Sequence, residues 1–262
     1  MRTIHYAIPI VLFIIICTVL MFLVDRDWAI GLGIGIIALV GLYFLKNAID
    51  WNYYLKHPPS LEIPVLKLLL DIPFYRQLNE PDKSKFESRL AMFMIAHEYK
   101  MQPKRNSEDD EPMDAPEDLK AICSVPAIML TLDKEEYLMR EIEQIVLYNH
   151  PFPSPNYHQL HNSESNKEDK VLIFSLPNLE KGVKEPFTYF DIGMYEWSRI
   201  SGNIDFTCQN WINFKAIYGI DEEALKLAIG LPLVDLPAVC KVMRVHYSYI
   251  HTLHMDHKAK LS

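Results

Sequence analysis

The chain lacks most of the short signatures by which soluble enzymes are recognised. Its four cysteines form no CxxC pair, so zinc-ribbon and dithiol redox chemistry have no ligands at the usual spacing. No Gly-rich phosphate loop occurs, since Gly31, Gly33 and Gly35 lie inside an apolar run. Neither a serine nucleophile elbow nor a Cys-His signature is present. An excess of positive charge is missing too: 26 Lys and Arg stand against 34 Asp and Glu, a formal net charge of -8. That balance argues against a nucleic-acid surface, which needs clustered basic residues. Without basic stripes, the aromatic residues are expected to fill a core rather than stack on bases. Cys17 lies in an apolar stretch and Cys123, Cys208 and Cys240 are far apart. The spacing predicts reduced, mostly buried thiols, as suits a cytosolic domain.

What the sequence does have is two long apolar runs. Tyr6 to Val24 and Trp28 to Leu45 are almost wholly apolar. Each approaches the roughly 20 residues that a helix needs to cross about 30 Å of hydrocarbon. Only Asp25-Arg26-Asp27 lies between them, enough for a tight polar turn. Gly31, Gly33 and Gly35 would let the second helix approach the first closely. Tyr6, Trp28 and Tyr43 stand near the ends, where aromatic rings favour the interface. A signal peptide is the competing reading of the first run. It lacks a small-residue cleavage site after Val24, and a second span follows at once. Arg2, Lys46, Lys56 and Lys67 fall on one side, and the turn carries one Arg against two Asp. The positive-inside rule then predicts a cell-membrane hairpin with both ends, and the soluble part, in the cytoplasm.

About 200 residues remain, enough for one domain with its own core. Residues 51–73 read as a proline-punctuated connector, with a short docking segment at Val65 to Leu70. A helix is predicted from about Pro81, with Phe86, Leu90, Phe93 and Met94 at helical spacing. Pro103 to Asp118 is acidic and reads as an exposed loop. Leu119 to Leu132 is a mainly apolar helix that Pro126 is expected to kink or break. Gln144 to Tyr148 and Lys170 to Phe174 read as neighbouring strands of a small sheet. Helices follow around Ile192 to Ile200, from about Asn210, and after Leu236. The reading is a helix-dominated α+β domain behind two transmembrane helices, without an internal repeat.

Four segments in a fixed order resemble the zinc-dependent peptidase family of Mlc titration factor A (MtfA). They are Phe74 to Leu78 with the helix KSKFESRLAMFMIAHEYK, then AICSVPAIMLTL, then IVLYNHPF, then VLIFSLPNLEKGVKEP and the helix entered at Phe190. The match spans roughly residues 70 to 245, and order and spacing carry it. The resemblance implies a zincin-like fold over 74–250, followed by a His-containing tail at 251–262. In that family the last helix bears HExxH, in which two histidines at i and i+4 hold zinc and the glutamate takes a proton from the bound water. Here the corresponding stretch is Tyr195-Glu196-Trp197-Ser198-Arg199.

Only the general-base glutamate, Glu196, is retained. A tyrosine phenol is protonated near pH 7 and is a poor ligand. An arginine is a permanent cation with no lone pair to offer. A four-ligand zinc site is worth about 10–16 kcal/mol, so each ligand supplies roughly 3–4. The family's third ligand, a downstream glutamate, has only Asp221 and Glu222 as loose equivalents. No zinc is therefore expected, although the family uses it. Glu196 and Arg199 would then form an ordinary helix-surface pair at i, i+3, worth a few tenths of a kcal/mol.

Other histidines offer alternative donors. His150, His158 and His161 lie between the two strands, and His251, His254 and His257 recur every third residue in the tail. Each group reads first as loop or solvated tail. His97-Glu98 begins like HExxH, but Met101 takes the second histidine's place. Expected, then, is a membrane-anchored, catalytically silent relative of the zinc peptidases acting as a binding or regulatory module. Its partners would be membrane lipid through residues 6–45 and a protein at the former substrate cleft. The alternative is an active metallopeptidase with rearranged ligands.

Overall fold

A computed structural model of the chain describes residues 3–103, 111–154, 158–202 and 210–246. They fall into two compact units, residues 1–59 and 60–262.

The first unit is a helical hairpin, α1 (Thr3–Leu23) and α2 (Trp28–Lys56). Both helices are long and apolar enough to cross a membrane, and most of their large apolar side chains are exposed. Outside lipid such exposure is unfavourable at about 25 cal/mol per Å². Close approach near the turn depends on small residues. A Cβ on Gly31 would stand 2.9 Å from Cys17 Sγ, and one on Gly35 would stand 2.6 Å from Ile14 Cγ1. Of the three glycines expected to pack inward, Gly33 meets open space instead.

The second unit begins with α3 (Ile63–Asp71), α4 (Pro73–Gln77) and α5 (Glu80–Ala96). Val65 and Leu69 of α3 are fully buried, so the latter part of the segment read as a connector contributes to the core. Asn79 caps α5 by accepting the Asp82 N–H at 2.9 Å, and Pro81 sits in its first turn. Next come β1 (Glu98–Met101), β2 (Met113–Asp114) and α6 (Glu117–Thr131). The expected break at Pro126 is absent: α6 runs through it. A buried helix can keep an internal proline where surrounding packing offsets the lost hydrogen bond. Every residue from Ala121 to Thr131 is buried, and α3 and α5 pack on this helix.

The remaining elements are β3 (Gln144–Tyr148), β4 (Ser163–Asn166), β5 (Val171–Ser175), α7 (Leu176–Lys184) and α8 (Ile192–Ile200), then α9 (Trp211–Tyr218), α10 (Glu222–Ile229) and a helix α11 over 236–246. The sheet order is β2-β1-β3-β5-β4. β1, β3 and β5 are parallel, and the two edges are antiparallel. The two strands expected as neighbours are β3 and β5, paired from Gln144↔Val171 to Tyr148↔Ser175. Sequence reading missed β4, whose return to β5 is made by an Asx turn. There Asn166 Oδ1 accepts from Glu168 N and Asp169 N, and Lys170 takes φ +56°.

Helix α8 rests between α6, α7 and β4. Gly193 makes this fit possible, because a Cβ there would come within 2.6 Å of Leu179 Cδ1 and 2.8 Å of Pro126 Cγ. On the same helix Trp197 is fully buried. Its indole N–H donates to Cys123 O at 3.0 Å, and its ring meets Phe93 edge-on at 5.3 Å. Truncating a side chain so placed costs about 3–5 kcal/mol.

One expectation about the cysteines fails. Cys17 and Cys123 are free and buried, but Cys240 on α11 is disulfide-bonded. Spacing along the chain carries no information on spatial approach, which is what a disulfide requires. Cys208 lies outside the described residues.

His97 closes α5, stacked on Phe93 at 4.1 Å with Nδ1 2.9 Å from Phe93 O. Burial lowers its pKa, and backbone hydrogen bonds to Phe93 and Met139 offset this only in part. The unfolded chain therefore takes up the proton first as pH falls. The neutral imidazole's contribution is complete above about pH 6.5 and declines below it until the folded form also protonates. Thermal unfolding of the full chain should move to lower temperature between pH 7.5 and 5.5, and His97→Phe should shrink that movement. An equal movement in the variant would rule His97 out as its source.

Candidate functional site

The residues that the resemblance aligns with the metal-site positions lie on α8, whose start is set by Asp191. Its carboxylate accepts the Met194 N–H at 2.8 Å and holds His246 Nε2 at 3.2 Å. An Asp ahead of a helix is a readable cap signal, whereas the pairing with a histidine 55 residues later is not. The far end of α8 is capped by Lys167 from the β4–β5 turn, with Nζ 3.4 Å from Arg199 O and 3.3 Å from Ile200 O.

Between these ends, Glu196 is completely buried. Both carboxylate oxygens are engaged: Oε1 accepts from Ser163 Oγ at 2.9 Å, and Oε2 accepts from Arg199 Nη1 at 2.9 Å. The surface ion pair expected from the i, i+3 spacing is thus a pair with one fully buried member. The Arg199 side chain keeps 34% of its exposure while that of Glu196 has none. Burial opposes the guanidinium charge, but the Glu196 carboxylate and further negative neighbours outweigh it and raise the Arg199 pKa. The Arg199 guanidinium also lies 5.7 Å from the centroid of the Tyr195 ring, a cation–π contact.

Tyr195 is buried, and its hydroxyl oxygen accepts the Asp235 N–H at 3.0 Å. Burial pushes its pKa up to about 12, against a lowering by that hydrogen bond. At neutral pH it is a phenol. Asp235 also caps α11, accepting from Ala238 N at 3.0 Å, so one residue anchors both helices.

These side chains do not fit a zinc ion. The glutamate has no free oxygen, the phenol is neutral and already bonded, and the third group is a cation. Among the described residues no three His, Cys, Asp or Glu side chains converge as a metal set. Asp221 is an exposed cap of α10, accepting from Ala224 N at 2.9 Å, and Glu222 pairs with Lys226 at 3.0 Å. His161 is buried with Nε2 3.2 Å from Glu164 and Nδ1 3.0 Å from Gln159 O. His150 is exposed, its Nδ1 2.9 Å from Pro151 O, and His158 is also exposed. His251, His254 and His257 lie outside the described residues. No known protein family, curated protein or solved structure matches the chain.

Sequence reasoning placed Tyr195, Glu196 and Arg199 on one helix but missed Ser163 and Asp235, which lie 33 and 40 residues from their partners. Asp235 is readable as a helix cap, but nothing in the sequence marks its approach to Tyr195 or that of Ser163 to Glu196.

The burial of Glu196 makes its pairing consequential. An exposed i, i+3 pair contributes a few tenths of a kcal/mol, but stranding a buried charge costs far more. Arg199→Met should destabilise the protein by about 3 kcal/mol, the low end for breaking a buried pair because the guanidinium is a third exposed. Adding Glu196→Gln should recover part of that loss, as read by chemical denaturation. A loss under about 1 kcal/mol in the single variant would return the pair to the ordinary surface class.

Proposed function

We propose that the protein is a membrane-anchored, non-catalytic member of the MtfA-like zinc-peptidase class, with a zincin-like domain that serves as a binding or regulatory module. The observation that carries this reading is the closure of Glu196 by Arg199 and Ser163, each at 2.9 Å. A general base must accept a proton from a bound water. Here both acceptor oxygens already hold donors, one of them a fixed cation. The alternative of an active peptidase with rearranged ligands finds no third donor near Glu196 among the described residues. What the domain retains is a packed scaffold with a partly exposed arginine at the former catalytic position, a surface suited to holding a protein partner.

Metal content of the purified full chain tests this directly. The native protein should contain no stoichiometric zinc, and Tyr195→His with Arg199→His should take up about one equivalent if two ligands of roughly 3–4 kcal/mol each are restored. Zinc in the native chain overturns the reading. A metal-free double variant that still folds removes the family assignment.

The hairpin supplies the anchor, with both ends on the cytoplasmic face. Lys46, Lys56 and Lys67 support that orientation, since positive charge stays inside. The disulfide on Cys240 opposes it, because the cytosol keeps thiols reduced. Charge bias acts during insertion, before the soluble part can fold and oxidise, and so sets the orientation. With Arg26→Cys in the turn, a membrane-impermeant maleimide should label intact cells. Labelling only after the membrane is permeabilised places the soluble unit on the other side.

A further inference from the structure

The hairpin is not uniformly packed. Near the turn, Gly31 and Gly35 bring α2 against Cys17 and Ile14 of α1. Further along α2 no glycine faces α1, as Gly41 has nothing within 4 Å. There a cavity of about 240 Å³ is lined by Ile4, Ala7, Leu39, Leu42, Tyr43 and Lys46. Five of the six lining residues present apolar surface, and the sixth is a cation. Lys46 is exposed, and no carboxylate of the described residues lies within salt-bridge distance of it.

Helical rise fixes the depth of this groove. Lys46 is 18 residues beyond Trp28, or about 27 Å along the axis, close to the thickness of the hydrocarbon layer. With Trp28 at one interface, the ammonium group stands at the level of the lipid phosphates of the opposite leaflet. Leu42 and Leu39 lie about 6 and 10 Å deeper, among acyl chains. The Tyr43 ring stands beside the lysine, where amphipathic rings favour the boundary. An apolar slot with one cation at its mouth is complementary to a molecule with one anionic head and a chain. A partner helix is a poor fit, because the rim carries leucine and tyrosine rather than the small residues that let backbones approach.

We infer that the groove between α1 and α2 is a binding site for an anionic glycerophospholipid, with an acyl chain along Leu39 and Leu42 and the phosphate on Lys46. The inference rests on the reading of the hairpin as membrane-spanning. It adds a lipid preference to the anchor. A single basic residue at an anionic lipid surface favours it by about fivefold.

The test uses the full chain in nanodiscs of equal parts phosphatidylglycerol and phosphatidylcholine, with retained lipid counted by native mass spectrometry. Phosphatidylglycerol should be retained about fivefold over phosphatidylcholine. Lys46→Gln should bring the ratio near one, Lys46→Arg should keep it, and Leu42→Trp should reduce retention of both lipids by filling the slot. Millimolar inorganic phosphate should displace nothing. Equal retention in the native chain, or an unchanged ratio in Lys46→Gln, overturns the site. Lipid displaced by free phosphate shows that the headgroup alone is held. A chain that fails to enter nanodiscs and washes off membranes at alkaline pH overturns the spanning hairpin itself, a failure distinct from loss of lipid preference.

Discussion

A carboxylate without solvent exposure requires a partner, and the arrangement around α8 is organised by that requirement. Glu196 is held from one side by Arg199, one helical turn away, and from the other by Ser163 on the edge strand β4. Moving a carboxylate out of water costs several kcal/mol even after relaxation, more than an isolated exposed pair returns. Strand β4 must therefore hold its place against α8 for the charge to be tolerated. The same tie explains why an edge strand of only four residues is part of the core: its first residue is committed to the helix rather than to solvent.

Around that tie the packing is graded from polar to apolar. On one side of α8 lie Glu196, Arg199 and the Tyr195 ring. Elsewhere on the helix Trp197 sits against Phe93 and the backbone of α6. Gly193 allows α8 to approach Pro126 and Leu179, so the proline inside α6 is not a defect but part of a contact surface. Asp191 and Asp235 serve as caps and also meet partners remote in sequence, His246 and Tyr195. Such double use leaves these groups little freedom to act as acids, bases or ligands.

The apolar hairpin obeys different physics. In a lipid bilayer burial would give little drive for two such helices to associate, and close approach at glycines would take over. Packing is therefore tight where glycine faces α1 and loosens where leucine replaces it.

Local pattern determined the elements that need only neighbours in sequence. The two apolar spans, α5, α8 and strands β3 and β5 follow from runs and periodicities of the expected length, and α9 begins at the Asn210 cap. The continuity of α6 through Pro126, helix α7 and strand β4 did not follow. Each is stabilised by residues distant along the chain. The same division holds for the site. Sequence placed Tyr195, Glu196 and Arg199 on one helix because i, i+1 and i+4 are fixed by helical geometry. Only the tertiary structure decided that Glu196 is buried, that Ser163 and Asp235 close around the helix, and that Cys240 stands in a disulfide. Burial and approach in space are properties of the packed chain, and no spacing along it encodes them.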